Sequence, residues 1–285
     1  MRGAVDVVIL GAGELGGTLA HVLARSAAAS MVRLVDDAGQ VAAGKALDIM
    51  QAAPIEGFAA RVTGHSDLTA PPAARVVVLA DRVRGGEWAG NEALLMLKRL
   101  HGSADSRVVV CAGASQREIV ERGVTELGYR RERLFGTAPE ALAGALRAIM
   151  AIEAGRSPLD VTLNVLGVPP AQVVIPWDEA TIGGFLASSV LDPATRRRIA
   201  ARVVPLWPPG PIALAAAAGK AIQSLCGGSR RSLCAFVAPD HSAGHRFRTA
   251  AMPVRLGPDG IARVENPGLN AHDRVALENA ISLSD

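Results

Sequence analysis

The residues best suited to chemistry lie early in the chain, at Gly11-Ala12-Gly13-Glu14-Leu15-Gly16, between a β-branched run and an apolar face with helical spacing. Between a strand and a helix, such glycines turn the chain tightly, let the backbone approach a diphosphate and let the helix pack closely on the sheet. The helix N-terminus then faces the anion. Asp36 ends the second strand twenty residues after Gly16, where a carboxylate accepts from the ribose hydroxyls of NAD and repels the extra phosphate of NADP. Gly11, Gly13, Gly16 and Asp36 are therefore the candidate cofactor residues, with NAD or another adenosine-containing small molecule as ligand. A glycine turn that holds no ligand is the competing reading in a chain with 30 glycines.

These residues need a scaffold. Val5–Leu10, Met31–Val35, Val76–Ala80, Val108–Cys111 and Leu134–Gly136 read as strands alternating with helical patterns. Continuous apolar strands separated by helices imply a parallel sheet covered on both faces. Leu15, Leu19, Val22 and Leu23 make one helical stripe, and Leu94, Leu97 and Leu100 another. The fold class is α/β: a Rossmann-type doubly wound parallel sheet over residues 1–137, followed by an α+β second domain over 138–285. The second part reads as a helix from about 140 to 153, strands near 161–166 and 172–175, and helices around 193–204 and 212–225. Strands follow at 232–238, 250–256 and 261–265, the last two joined by the turn Gly257-Pro258-Asp259-Gly260. Asn270 is the N-cap of a closing helix.

Composition narrows the function classes. The net charge is only +3 and aromatics make up 3% of the chain, which leaves few stacking platforms for nucleic acid. The longest apolar stretch, Ile212–Ala218, falls far short of the roughly 20 residues of a membrane span. The N-terminus enters a strand pattern directly, so a cytoplasmic protein without a secretory signal is expected. Cys111, Cys226 and Cys234 are scattered among apolar residues and read as buried free thiols, with no metal site implied.

Three longer segments carry a resemblance. Together with the glycine turn and "LVDD" (Leu34–Asp37), "GKALDIMQAAPIEGF" (Gly44–Phe58), "LFGTAPEALAGALR" (Leu134–Arg147) and the terminal stretch Pro253–Ala280 resemble the lactate/malate dehydrogenase family, closest to its bacterial malate dehydrogenase branch. The resemblance implies a 2-oxoacid reductase. A His/Asp pair would relay a proton to the carbonyl, a loop arginine would polarise it, further arginines would clamp the carboxylates, and NADH would supply the hydride. It also implies a homo-oligomer, dimer or tetramer.

Carried residue by residue, the same resemblance removes that machinery. The aspartate that orients the histidine falls on Leu142, and the arginine that grips the substrate carboxylate falls on Ala145. The histidine falls in Gly167-Val168-Pro169-Pro170-Ala171, at Pro169, and no histidine occurs between His101 and His241. The two loop arginines fall on Gly85 and Asn91, with Arg82 and Arg84 as imperfect substitutes. Ala112 stands for an asparagine and Gly210 for a Ser/Thr, while Asp81 and Arg82 replace small residues beside the nicotinamide. Among replacement acids, Glu140 reads as a first-turn helix acid, Asp178 and Glu179 as caps of the next helix, and His241 and His245 as solvent-exposed. Trp88 reads as a plug in the substrate pocket. The leading reading is thus a protein that binds NAD without malate dehydrogenase turnover. A diverged but active NAD-dependent dehydrogenase and a ligand-free structural relative are the alternatives.

Overall fold

The computed structural model describes residues 5–26, 28–68, 74–101, 107–227, 231–240 and 247–282. The first half runs β1 (Val5–Leu10), α1 (Glu14–Arg25), β2 (Ala29–Val35), α2 (Gly39–Glu56), β3 (Arg61–His65), β4 (Val76–Leu79), β5 (Asp81–Arg82), β6 (Gly86–Glu87), α3 (Gly90–His101), β7 (Val108–Cys111), α4 (Arg117–Thr125) and β8 (Leu134–Gly136). Strands β3-β2-β1-β4-β7-β8 pair in parallel in that order. The order reverses between β1 and β4, which is where open α/β sheets present their ligand crevice. Val7, Val8, Ile9 and Leu10 are all fully buried, as a strand sandwiched between two helical layers requires.

The second half begins with α5 (Ala138–Ala154), followed by the short strands β9 (Val161–Thr162), β10 (Leu166–Val168), β11 (Gln172–Val174), β12 (Thr181–Ile182) and β13 (Phe185–Leu186). Helices α6 (Ala187–Val190), α7 (Pro193–Ala200) and α8 (Pro211–Gly227) follow, then β14 (Leu233–Val237), β15 (Ala250–Gly257), β16 (Gly260–Val264) and α9 (Ala271–Ile281). The large sheet continues antiparallel from β8 through β14, β15 and β10 to β11, with β16 on β15. A single bridge, Gly136 to Phe236, makes the junction. Helix α8 lays Leu214, Ala218, Ile222 and Leu225 into the same core as Leu15, Leu19 and Leu23 of α1, so the two halves share an interior.

Most expected elements are present, with instructive differences. The strand expected over 161–166 is two, β9 and β10, which join different sheets. The helix expected to reach Val204 ends at Ala200 and continues as turns through Leu206. Cys111 and Cys234 are buried as expected, whereas Cys226 is only half-buried. Asn270 caps α9 by accepting from the Asp273 N–H at 2.9 Å. His241 and His245 lie outside the described residues. Among the described residues no helix is long and apolar enough to cross a membrane, and no cluster of three or more His, Cys, Asp or Glu side chains could hold a metal.

Phe236 is 1% exposed, lies at the junction bridge and meets the Trp207 ring edge-on at 6.2 Å. Phe236→Ala should therefore cost about 3–5 kcal/mol. Urea unfolding followed by circular dichroism should show both halves losing stability in one transition.

Candidate functional site

The glycine turn opens at the crevice between β1 and β4, and the chain fills it with its own carboxylate. At the start of α1 the Gly16 N–H donates to Asp81 Oδ1 at 2.8 Å and the Leu15 N–H to Asp81 Oδ2 at 3.1 Å. The Gly13 N–H donates to the Asp81 carbonyl at 2.8 Å. A helix of 12 residues leaves its first N–H groups without intrahelical acceptors and carries a partial positive charge at that end. An anion there contributes about 0.3–1 kcal/mol when exposed, and up to ~2 when partly buried. Gly11, at φ +115°, and Gly13 are needed for this arrangement: a Cβ on Gly11 would overlap the Asp81 backbone, and one on Gly13 would overlap its carboxylate. Lys45, which sequence reasoning did not single out, donates from Nζ to the Gly13 carbonyl at 2.6 Å on the outer side of the turn.

Asp36 does structural work. It is fully buried, its Oδ2 accepts from the Ala12 N–H at 2.8 Å and the Val83 N–H at 3.0 Å, and its Oδ1 accepts from the Ala38 N–H at 2.9 Å. Burial by itself would raise its pKa. The bonds from Ala12, Asp37, Ala38 and Val83 outweigh burial and hold the group below the ordinary carboxylate value. The ribose-facing placement expected of Asp36 thus differs from the one observed, in which both oxygens stitch β2 to the turn and to the segment after β4.

That segment is a hairpin, β5–β6, in which Asp81 pairs with Glu87 and Arg82 with Gly86. It is held on every side. Trp88, 5% exposed, donates from Nε1 to the Leu10 carbonyl at 2.9 Å, and the Arg82 guanidinium lies 4.7 Å from the Trp88 ring centroid. Arg82 also pairs with Glu92 at 2.9 Å. Glu87 accepts from the Ala114 and Ser115 N–H groups, each at 2.8 Å, in the loop leading to α4. The fully buried Gln116 donates from Nε2 to the carbonyls of Ala80 at 3.3 Å and Trp88 at 3.4 Å. The two hairpin carboxylates therefore span the switch point, Asp81 on α1 and Glu87 on the approach to α4.

The three expected catalytic positions hold no polar side-chain atom. Leu142 is fully buried among Val165, Ile175 and Cys234, Ala145 is half-buried on α5, and Pro169 is buried after β10. Glu140 bonds both Arg147 and the Cys234 N–H, the latter at 2.8 Å. Desolvation and, secondarily, the Glu140 charge push the Cys234 thiol up to about 12, so it stays protonated. Asp178 and Glu179 do not cap the next helix as expected. Asp178 accepts from Asn270 Nδ2 at 2.9 Å and Glu179 from the Gly268 N–H, which fastens the approach to α9.

No family model matches the chain. The malate dehydrogenase of Desulforudis audaxviator is 28% identical over 97% of this chain and 95% of its own length. That of Salinibacter ruber is 26% identical over 97% and 93%. The solved structure of Salinibacter ruber malate dehydrogenase superposes with a TM-score of 0.85 at 24% identity, covering 97% of this chain and 94% of that one. The lactate dehydrogenase of Cryptosporidium parvum, complexed with lactic acid and β-nicotinamide adenine dinucleotide, gives 0.85 at 19% identity over 98% and 95%. The chain is thus similar over nearly its whole length to malate dehydrogenases and has the lactate/malate dehydrogenase fold.

In a lactate/malate dehydrogenase fold the glycine turn is where a dinucleotide would be held, and the residues here do not fit one as they stand. The N–H groups of Leu15 and Gly16 already face a carboxylate, which would repel a diphosphate and takes its volume. Both Asp36 oxygens are committed, and Val83 and Trp88 close over the end of β1. The sequence signal for this was the expectation that Asp81 and Arg82 replace small residues beside the nicotinamide.

Asp36→Ala should leave the buried Ala12 N–H unpaired, at about 1–3 kcal/mol, and the half-buried Val83 N–H unpaired at a smaller cost. In the wild type the Asp36 contribution is fully present above its ordinary pKa of 3.8 and lost as pH falls through the lower folded value. The stability gap between wild type and Asp36→Asn should narrow below about pH 4. A gap that stays constant on acid titration of the denaturant midpoint would contradict this role.

Proposed function

We propose that the protein is a non-catalytic relative of the malate dehydrogenases, a binding or structural subunit that does not reduce 2-oxoacids. The observation that carries this reading is the buried Pro169, which has no side-chain proton to give, at the position matched to the relay histidine, with Leu142 packed in an apolar core at the position matched to its aspartate. General acid catalysis needs a proton donor within hydrogen-bond reach of the carbonyl, and losses within a coupled acid–base unit are rarely made good by one neighbour. Glu140, the acid nearest in sequence, is bonded to Arg147 and to the Cys234 N–H.

The expected cofactor residues Gly11, Gly13, Gly16 and Asp36 lie together, yet their polar groups serve the chain itself, which favours the ligand-free alternative for the dinucleotide site. Binding of a smaller adenosine-containing molecule is the second reading. It is supported by a groove of about 300 Å³ beside Asp36, lined by Asp37, Gly39, Gln40 and Arg84. Calorimetric titration with AMP, ADP, NAD and NADH tests it: a saturable heat for AMP supports the groove, and none for any of the four removes it.

Purified protein should not oxidise NADH with oxaloacetate or pyruvate above background, followed by NADH absorbance. Turnover of about 1 s⁻¹ or more would overturn the non-catalytic reading. The triple variant Leu142→Asp, Ala145→Arg, Pro169→His should be less stable than wild type, because an unpaired buried charge is costly. It should still fail to reduce oxaloacetate, since Ala112 and the β5–β6 hairpin remain out of register with such a site. Efficient turnover by a well-folded triple variant would show that the pocket had stayed open and polar.

A further inference from the structure

We propose that Asp81 is an internal ligand of the glycine turn: its carboxylate occupies the anion cradle at the start of α1 and keeps diphosphate groups out while the β5–β6 hairpin is seated. The inference deepens the non-catalytic reading and rests on it. The cradle itself is complete. Two backbone donors, Leu15 and Gly16, converge on one anion, and Gly13 leaves room for that anion against the backbone. What fills it is a side chain delivered from the far side of the switch point, on a hairpin whose other carboxylate, Glu87, is bonded to Ala114 and Ser115. The anion is tethered, so it competes with any free phosphate at a high effective concentration. A diphosphate in solution meets donors already satisfied and a like charge in their place.

Removing the Asp81 carboxylate should therefore empty the cradle without dismantling it. The chemistry recognised is a diphosphate, from either inorganic pyrophosphate or a nucleotide, and both are used as probes. Wild type, Asp81→Ala and Asp81→Asn are titrated calorimetrically with inorganic pyrophosphate and with ADP-ribose, and their melting temperatures are recorded with pyrophosphate and with sodium chloride of equal ionic strength. Wild type should show no saturable heat up to about 1 mM, and Asp81→Ala should bind at least about tenfold more tightly. Pyrophosphate should raise the melting temperature of the variant and not of wild type, and sodium chloride should not substitute for it, which separates occupancy from screening. Tighter binding of ADP-ribose than of pyrophosphate assigns the cradle to nucleotides, and equal binding assigns it to the diphosphate alone; both support the proposal.

A folded Asp81→Ala that binds neither probe better than wild type overturns it, as does wild type binding pyrophosphate as tightly as the variant. Should Asp81→Ala fail to fold, Asp81→Asn decides. Its amide keeps the shape but loses the charge and sets an NH₂ against the backbone donors, so a gain in pyrophosphate affinity is again expected and its absence is fatal to the idea. The non-catalytic reading falls only on oxoacid turnover by wild type, whereas this proposal falls on anion affinity, so the two failures are distinguishable.

Discussion

The open N-terminus of α1 imposes a requirement that the surrounding structure is arranged to meet. Its first N–H groups project into the crevice between β1 and β4 with no acceptor in their own helix, and an anion must answer them. Here the chain answers with Asp81. Placing that carboxylate fixes the start of the hairpin. The hairpin in turn sets the Trp88 indole on the end of β1 and Glu87 on the approach to α4. Asp36 locks the same assembly from the β2 side through Ala12 and Val83. The crevice is thus closed by one connected set of bonds from the Asp36, Asp81, Glu87 and Trp88 side chains, each ending on a backbone group.

The second half of the molecule is apolar at the positions expected to carry the chemistry. Leu142 packs in the core with Val165, Ile175 and Cys234, and the Ala145 and Pro169 side chains bring no donor or acceptor. The charged groups that remain nearby are consumed by structure, as with Glu140 between Arg147 and the β14 backbone, or Glu179 on the chain before α9. A general acid has to be free to give up its proton at the substrate, and a carboxylate that satisfies a buried N–H is not.

The crevice and the second half are joined through the sheet. Helix α5 starts directly after β8, which is parallel to β7 on one side and bridged to β14 on the other. The antiparallel strands therefore extend the parallel sheet instead of forming a separate layer, and α8 closes one core over both halves. Stability resides in the buried strands and helices, while the crevice contributes only as much order as its own hydrogen bonds provide.

The buried strands of the parallel sheet were legible from sequence because every residue of β4 and β7 is apolar, and such runs have few other soluble uses. The α1 and α3 stripes, the β15–β16 turn and the Asn270 cap were legible for the same kind of reason: each is local chemistry acting over a few residues. Edge strand β3 was missed because exposed Arg61 and His65 end it and Gly64 interrupts it, and the β5–β6 hairpin because two-residue strands carry no periodicity. That Leu142, Ala145 and Pro169 carry no acid, base or cation was also readable, since it depends only on residue identity. Only the tertiary structure decided what became of Gly11, Gly13, Gly16 and Asp36. Their types and spacing specify a place for an anion and a buried carboxylate, but not which anion comes or which donors the carboxylate takes. That depends on Asp81 and Val83, 65 and 47 residues away along the chain, being folded back over the turn, a proximity no local pattern encodes.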